Sequence, residues 1–305
     1  MTIYVTGASG FIGSAIVRYL DQHGGDVRAI ARKPSPALPD DDSRQVHTSH
    51  LFDGDWLDAD CTDAAIIHCA GLSDPRISFA SRNELYDREV GPHVAMMESL
   101  IARGWRGRLI FISSGGTVYG DTDKLPISEN VLPQPKNDYG LYNLFLEQAF
   151  AFLSQRFGTE TISLRVSNPY GGFVRKPGQG IIPILIDAIL EDRTIELFGD
   201  GSALRDYIAM DDLCRAVRLA VDTDLSDPSL TLNIGSGRGV SVRELISHIE
   251  EMTGRSIRTR QVALGANVHS NILCCARARD QLGWSAEIAI ETGLAEMLCE
   301  AGLIE

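Results

Sequence analysis

Thr6-Gly7-Ala8-Ser9-Gly10-Phe11-Ile12-Gly13 is the stretch on which the reading of this chain turns. It follows the apolar run Ile3-Tyr4-Val5 and opens a segment, 12–23, whose apolar residues recur at three- and four-residue spacing. A glycine-rich turn between a strand and a helix has a physical use. Gly7 permits the tight turn, Gly10 removes the Cβ that would keep a pyrophosphate off the backbone, and Gly13 lets the helix pack close to the strand. The helix N-terminus then offers unpaired N–H groups and the positive end of its dipole to phosphate. Ser9, Phe11 and Ile12 share the turn and join these glycines as candidate dinucleotide contacts. A glycine turn without a ligand is the plain alternative, and position, spacing and strand–helix context weigh against it.

The same alternation continues outward. Runs 27–31, 65–69, 109–113 and 161–166 are strand-like, and 93–103 and 139–157 carry helical spacing. Strand and helix in strict alternation imply parallel strands joined by crossovers, and strands buried on both faces read as continuous apolar runs. The expected fold is therefore α/β, a doubly wound parallel (Rossmann) sheet. Beyond about residue 170 the pattern changes. A loop at 171–180 precedes a helix at 181–190, strands at 194–198 and 231–234, and a helix at 241–252 that Ser241 caps with Glu244 three residues on. This predicts a dinucleotide-binding domain over 1–170, rejoined by about 205–238. A smaller α/β substrate lobe is expected from 171–204 and 239–305. Residues 33–43, rich in proline and aspartate, read as a surface loop.

The 305 residues are 44% hydrophobic and 23% charged, the balance of a globular chain with a sizeable core. A net charge of −13 sets an overall field that repels nucleic acid but leaves small phosphate ligands open to local dipoles and single arginines. No run approaches the ~20 apolar residues of a membrane helix, and no secretory leader is read at the N-terminus. The six cysteines fall in no C-x-x-C spacing, so free thiols and a cytoplasmic location are expected. His47 and His50 have no neighbours that would complete a metal site, and none is expected. The second strand ends at Ala31-Arg32-Lys33, where an acidic residue would hold the ribose hydroxyls of NAD. Arg32 can pair with a 2′-phosphate or remain a solvated loop residue, so the cofactor is NAD or NADP, with Arg32 leaning toward NADP.

Further motifs follow in order. They are Ile67-His68-Cys69-Ala70-Gly71, Ser113-Ser114-Gly115-Gly116-Thr117-Val118-Tyr119-Gly120, Tyr139-Gly140 and Asn168-Pro169-Tyr170-Gly171. Gly199-Asp200-Gly201-Ser202-Ala203-Leu204-Arg205-Asp206-Tyr207 and Leu282-Gly283-Trp284 complete the set. With the glycine cradle, these resemble the NAD-dependent epimerase/dehydratase group of the extended short-chain dehydrogenase/reductase family, typified by UDP-galactose (UDP-glucose) 4-epimerase. The resemblance implies that Tyr139 takes the proton of a sugar hydroxyl while nicotinamide takes the hydride from the same carbon. It implies that a hydroxyl residue, Ser114 or Thr117, orients that hydroxyl, and that Cys69, Ala70 and Gly71 line the cofactor. Asn168 and Arg205 then hold the substrate diphosphate, and Gly180, Ile181 and Phe198 enclose the base. For Arg205 an ion pair with Asp206 or Asp211 is the alternative. Simple core packing is the stronger reading of Phe198. The group also implies a homodimer built on a four-helix bundle from 93–103 and 139–157.

The chain departs from that pattern at several places. Four residues after Tyr139 stands Asn143 where the group has lysine. Tyrosine titrates near 10, so the phenolate is scarce at neutral pH without a cation. Asn143 can still bond the ribose, but weak or alkaline-shifted catalysis is expected. Aligned from Tyr119, the group's hydroxyl position falls on Gly115. Glu89 stands for an asparagine, and Leu264 and Cys274 for an arginine and an aspartate. The stretch Gly115-Gly116-Thr117 lacks the acidic pair of a dehydratase, so C4 epimerisation of a UDP-sugar through a 4-keto intermediate fits best. An NADPH-dependent 4-keto-sugar reductase and a catalytically impaired nucleotide-binding protein are the alternatives.

Overall fold

The computed structural model describes residues 1–38, 45–48, 50–72, 74, 76–172, 180–262 and 270–305. Its first half runs β1 (Thr2–Thr6), α1 (Phe11–Gln22), β2 (Asp26–Ala31), β3 (Gln45–His47), β4 (Ala65–His68), α2 (Arg82–Leu85), α3 (Gly91–Ala102), β5 (Arg108–Ser114), α4 (Asp138–Phe157) and β6 (Glu160–Val166). It continues with β7 (Asn168–Tyr170), α5 (Ile181–Leu190), β8 (Ile195–Phe198), β9 (Leu204–Ala209), α6 (Met210–Asp222), β10 (Ser229–Ile234), β11 (Gly239–Ser241), α7 (Val242–Thr253), β12 (Thr259–Val262), α8 (Ala276–Leu282) and α9 (Ile290–Glu300).

Seven strands form one parallel sheet in the order β10-β6-β5-β4-β1-β2-β3. Successive residues face opposite sides, which explains why the strands read as unbroken apolar runs. Ile3 and Val5 of β1 enter a core shared with α1 and α6, while Tyr4 enters one shared with α3 and α4. The order reverses between β1 and β4, which makes the carboxyl ends of those strands the crevice where an open α/β sheet takes its ligand. The doubly wound Rossmann-type fold is thus present as expected.

Two small sheets stand beyond this edge, β11-β9-β7 and β12-β8. They pack with α5, α7 and α9 around a core of their own that includes Tyr170, Ile182, Leu185, Leu245 and Leu294. β10 returns to pair with β6. Ala278, Leu282 and Trp284, drawn from the segment read as substrate lobe, pack instead into the α1–α6 side of the large sheet. Trp284 Nε1 donates to the Asp212 carbonyl there (3.0 Å).

The helix expected from residue 93 begins earlier. Ser81 caps α2 by accepting from the Glu84 amide, a wide π turn over Tyr86–Val90 follows, and α3 continues the same rod. The π turn inserts one residue and shifts the apolar phase, so the periodic pattern begins only after it. The Ser241–Glu244 capping box is present as read.

Candidate active site

The glycine cradle joins β1 to α1. Gly7 has φ +67°, and a Cβ on it would lie 2.6 Å from the Ala70 amide nitrogen. The turn after β4 therefore abuts the turn after β1, and only glycine fits between them. A Cβ on Gly13 would lie 2.3 Å from the Gly7 carbonyl oxygen, the close helix–strand approach expected of it. Gly10 caps α1 with extended backbone and no side-chain bond, and the first helical bond runs from Ser14 N to Gly10 O. The amides of Phe11, Ile12 and Gly13 precede that bond and point out of the helix end. Ser9 is exposed at the rim. This arrangement fits the pyrophosphate of a dinucleotide, with Cys69, Ala70 and Gly71 as the opposite wall. Arg32 is exposed immediately after β2.

Across the crevice β5 ends at Ser114, and α4 starts one residue before Tyr139. Asn137 caps α4 by accepting from the Gly140 amide (2.8 Å), which fixes the first turn that carries Tyr139. A further clamp holds the same turn. The Asp138 carboxylate pairs with Arg82 and accepts from the Phe79 amide (2.7 Å). The Tyr139 phenol meets Ser114 and Asn143, each of which draws its pKa down, while burial pushes it up and prevails. The Thr117 hydroxyl donates to Ser114 Oγ (2.9 Å). Asn143 is buried, and its Nδ2 donates to the Tyr139 carbonyl (2.8 Å). Ser114, Thr117, Tyr139 and Asn143 are thus brought into one cluster at the carboxyl edge of the sheet.

Gly115 explains why the hydroxyl falls on its neighbours. A Cβ there would lie 2.6 Å from Leu273 Cδ1 and 2.8 Å from the Arg165 carbonyl oxygen. At Gly116 the only such neighbour among the described residues is Ser114 Oγ at 3.9 Å.

On the lobe side, Asn168 of β7 pairs in register with Tyr207 of β9, and its Nδ2 donates to the Asp206 carbonyl (2.7 Å). Arg205 precedes Asp206 on the same strand, is half-buried, and has its pKa pulled down by desolvation. The Asp206 carboxylate accepts from the Ser236 hydroxyl (2.8 Å) and the amides of Ser236, Gly237 and Leu273, and burial pushes its pKa up. Gly180 and Ile181 open α5, and Phe198 ends β8, which pairs with β12 outside the large sheet. Leu264 lies outside the described residues. Cys274 is half-buried, with its amide bonded to the Ile127 carbonyl (2.8 Å).

Two neighbours of the site escaped the sequence reading. Asn271 bridges Arg205 in backbone pairing and donates to the Gly115 carbonyl (3.2 Å), and Leu273 covers Gly115. Both contacts join distant segments, which no local pattern encodes. Among the described residues no cluster of His, Cys, Asp and Glu suits a metal, and no helix is long and apolar enough to cross a membrane. The six cysteines are free.

Residues 3–235 match the family model described as "NAD dependent epimerase/dehydratase family", and the chain belongs to that family. It is 28% identical to the dTDP-4-dehydro-6-deoxyglucose reductase of Escherichia coli, over 97% of this chain and 96% of that one. It is 29% identical to the UDP-glucose 4-epimerase of Corynebacterium glutamicum, over 94% and 91%. Among solved structures it resembles MoeE5 in complex with UDP-glucuronic acid and NAD, with TM-score 0.83, 33% identity and 97% of each chain covered.

Proposed function

We propose that this family member is an NAD(P)-dependent 4-epimerase of a UDP-sugar. The observation that carries the reading is the cluster of Ser114, Thr117, Tyr139 and Asn143 facing the crevice whose other side is the Gly7–Gly13 cradle. When bound, a nicotinamide dinucleotide supplies the hydride acceptor and donor. The chain's own residues supply the rest. The amides of α1 and the wall at Cys69–Gly71 hold the dinucleotide. Ser114, steadied by Thr117, orients the C4 hydroxyl of the sugar. Tyr139 takes the proton of that hydroxyl as the 4-keto sugar forms and returns it to the other epimer after the sugar turns. Asn143 supports the phenol as a neutral dipole. Arg205 and Asn168 hold the diphosphate, Arg205 through its planar guanidinium, and Gly180, Ile181 and Phe198 border the base.

NAD is favoured by the NAD-containing complex to which the chain is similar, and NADP by Arg32. The reductase relative and Arg32 together support a second reading, an NADPH-dependent 4-keto-sugar reductase. Asn143 supports a third, a nucleotide-binding protein with impaired catalysis. Incubation with UDP-hexoses and UDP-hexuronates separates them. Interconversion without net dinucleotide consumption, lost in Tyr139→Phe, supports the epimerase. Stoichiometric NADPH loss with a keto sugar replaces it with the reductase. Bound dinucleotide without turnover from pH 7 to 10 leaves the binding protein.

A second copy is the proposed partner, across α3 and α4. Phe145 and Phe152 of α4 are 39% and 58% exposed and share one helix face. The free thiols support a cytoplasmic placement.

A further inference from the structure

Behind the cradle runs a row of buried polar groups that epimerase chemistry does not use. Thr6 ends β1, His68 ends β4, and the two are register partners. Thr6 Oγ1 lies 2.7 Å from His68 Nδ1, His68 Nε2 lies 2.6 Å from His93 Nδ1, and His93 Nε2 lies 3.2 Å from the Tyr142 hydroxyl. Their exposures are 0%, 0%, 1% and 2%, so the row is shielded from water along its length. It crosses four elements, β1, β4, α3 and α4.

The row is neutral. Burial lowers the His93 pKa to about 4, and burial with the neighbouring imidazole lowers that of His68 well below its ordinary value. A neutral imidazole has one N–H and one lone pair, so the bonds must all run one way. Two senses satisfy all three contacts: from the Tyr142 hydroxyl through His93 and His68 to Thr6 Oγ1, or from the Thr6 hydroxyl through His68 and His93 to the Tyr142 oxygen. Each of the three contacts is satisfied by one proton.

The outer end of the row touches the cofactor wall. Gly71 has φ +144°, and a Cβ on it would lie 2.1 Å from the Tyr142 hydroxyl and 3.4 Å from His93 Cε1. The turn at Cys69–Gly71 therefore rests on the phenol. Its other flank meets Gly7, whose own Cβ would strike Ala70. The turn is thus packed between the cradle on one flank and the end of the buried row on the other.

We infer that His93 and Tyr142 are positioning residues that hold the Cys69–Gly71 turn at the height a dinucleotide requires. The inference rests on the proposed dinucleotide site and extends it to residues behind that site.

Tyr142→Phe keeps the ring and removes the hydroxyl. The dissociation constant for NAD and NADP should rise about tenfold, the scale of one buried hydrogen bond. The KM for the UDP-sugar should stay within about twofold. His93→Leu should weaken dinucleotide binding by a similar factor, and His93→Gln, which can still donate and accept, should recover most of it. The double variant Tyr142→Phe/His93→Leu should be no weaker than the poorer single, because both break one row. Tyr142→Phe binding either dinucleotide as tightly as the parent overturns the inference, even if its melting temperature falls. That one variant decides the matter should the His93 variants not fold. A parent that binds dinucleotide but turns over no sugar sinks the epimerase reading and leaves this test intact. A parent that binds neither dinucleotide sinks both.

Discussion

A phenol that serves as a base near neutral pH needs help with its charge. The groups acting on Tyr139 are Asn143 and Ser114, both neutral, and burial opposes them with the larger effect. The folded pKa therefore stands above the ordinary value, and turnover should climb with pH between 7 and 10. Asn143→Lys places a cation on the same helix face, and the limb of the pH–rate profile should move down by one to two pH units, or roughly a 10- to 100-fold gain at pH 7 if phenolate formation limits. A profile that stays put would mean that position 143 does not limit the rate. At this scale the candidate cluster was legible through the resemblance, because Tyr139, Asn143, Ser114 and Thr117 sit in short contiguous motifs. Asn271 and Leu273 could not be read, since their contacts with Arg205 and Gly115 exist only once the last segment folds across both sheets.

Among the elements, α4 has the most to hold. Its inner face carries Asn143 and, one turn on, Glu147, which is 1% exposed and bonds Arg165 at 2.7 Å and Ser113 at 2.5 Å. Arg165 also covers the Tyr119 ring at 4.8 Å. Glu147→Ala leaves a buried guanidinium without its counter-charge and should cost about 3–5 kcal/mol in denaturant unfolding. Loss below ~1 kcal/mol would show that Arg165 finds other partners. The large sheet was legible because its central strands are buried on both faces and need continuous apolar runs. β3 is three residues long and carries no such signal. α6 carries a regular amphipathic period, with Asp211, Arg215 and Arg218 on its outer side, but stands within a stretch whose overall alternation is irregular. The π turn before α3 hid its own start by breaking the period.

For the whole molecule, two consequences are measurable. The folded state holds His68 and His93 neutral, whereas the unfolded chain protonates them near 6.5. Between pH 6.5 and about 4 the unfolded state binds more protons, so stability is full above 6.5 and falls with acid through that window. Each such group costs about 1.4 kcal/mol per pH unit across its window, and urea midpoints at pH 7 and 5 should differ accordingly. Equal midpoints would place a compensating titration elsewhere. The second consequence concerns assembly. Phe152→Asp puts a charge at the centre of the exposed face of α4, and light scattering should report a shift from dimer to monomer. A parent already monomeric would dispose of the proposed interface.

Gly115 limits which substitutions the strand end can take. A serine there is barred twice, by the Leu273 side chain and by the Arg165 carbonyl of the neighbouring strand. Trimming Leu273 removes the first obstacle and leaves the second, which yields only if β5 and β6 move. A library of single substitutions screened for activity should therefore never recover serine at 115, while positions 114 and 117 accept the hydroxyl at once. The packing of the C-terminal segment and of β6 thus decides where along this strand end a hydroxyl can stand.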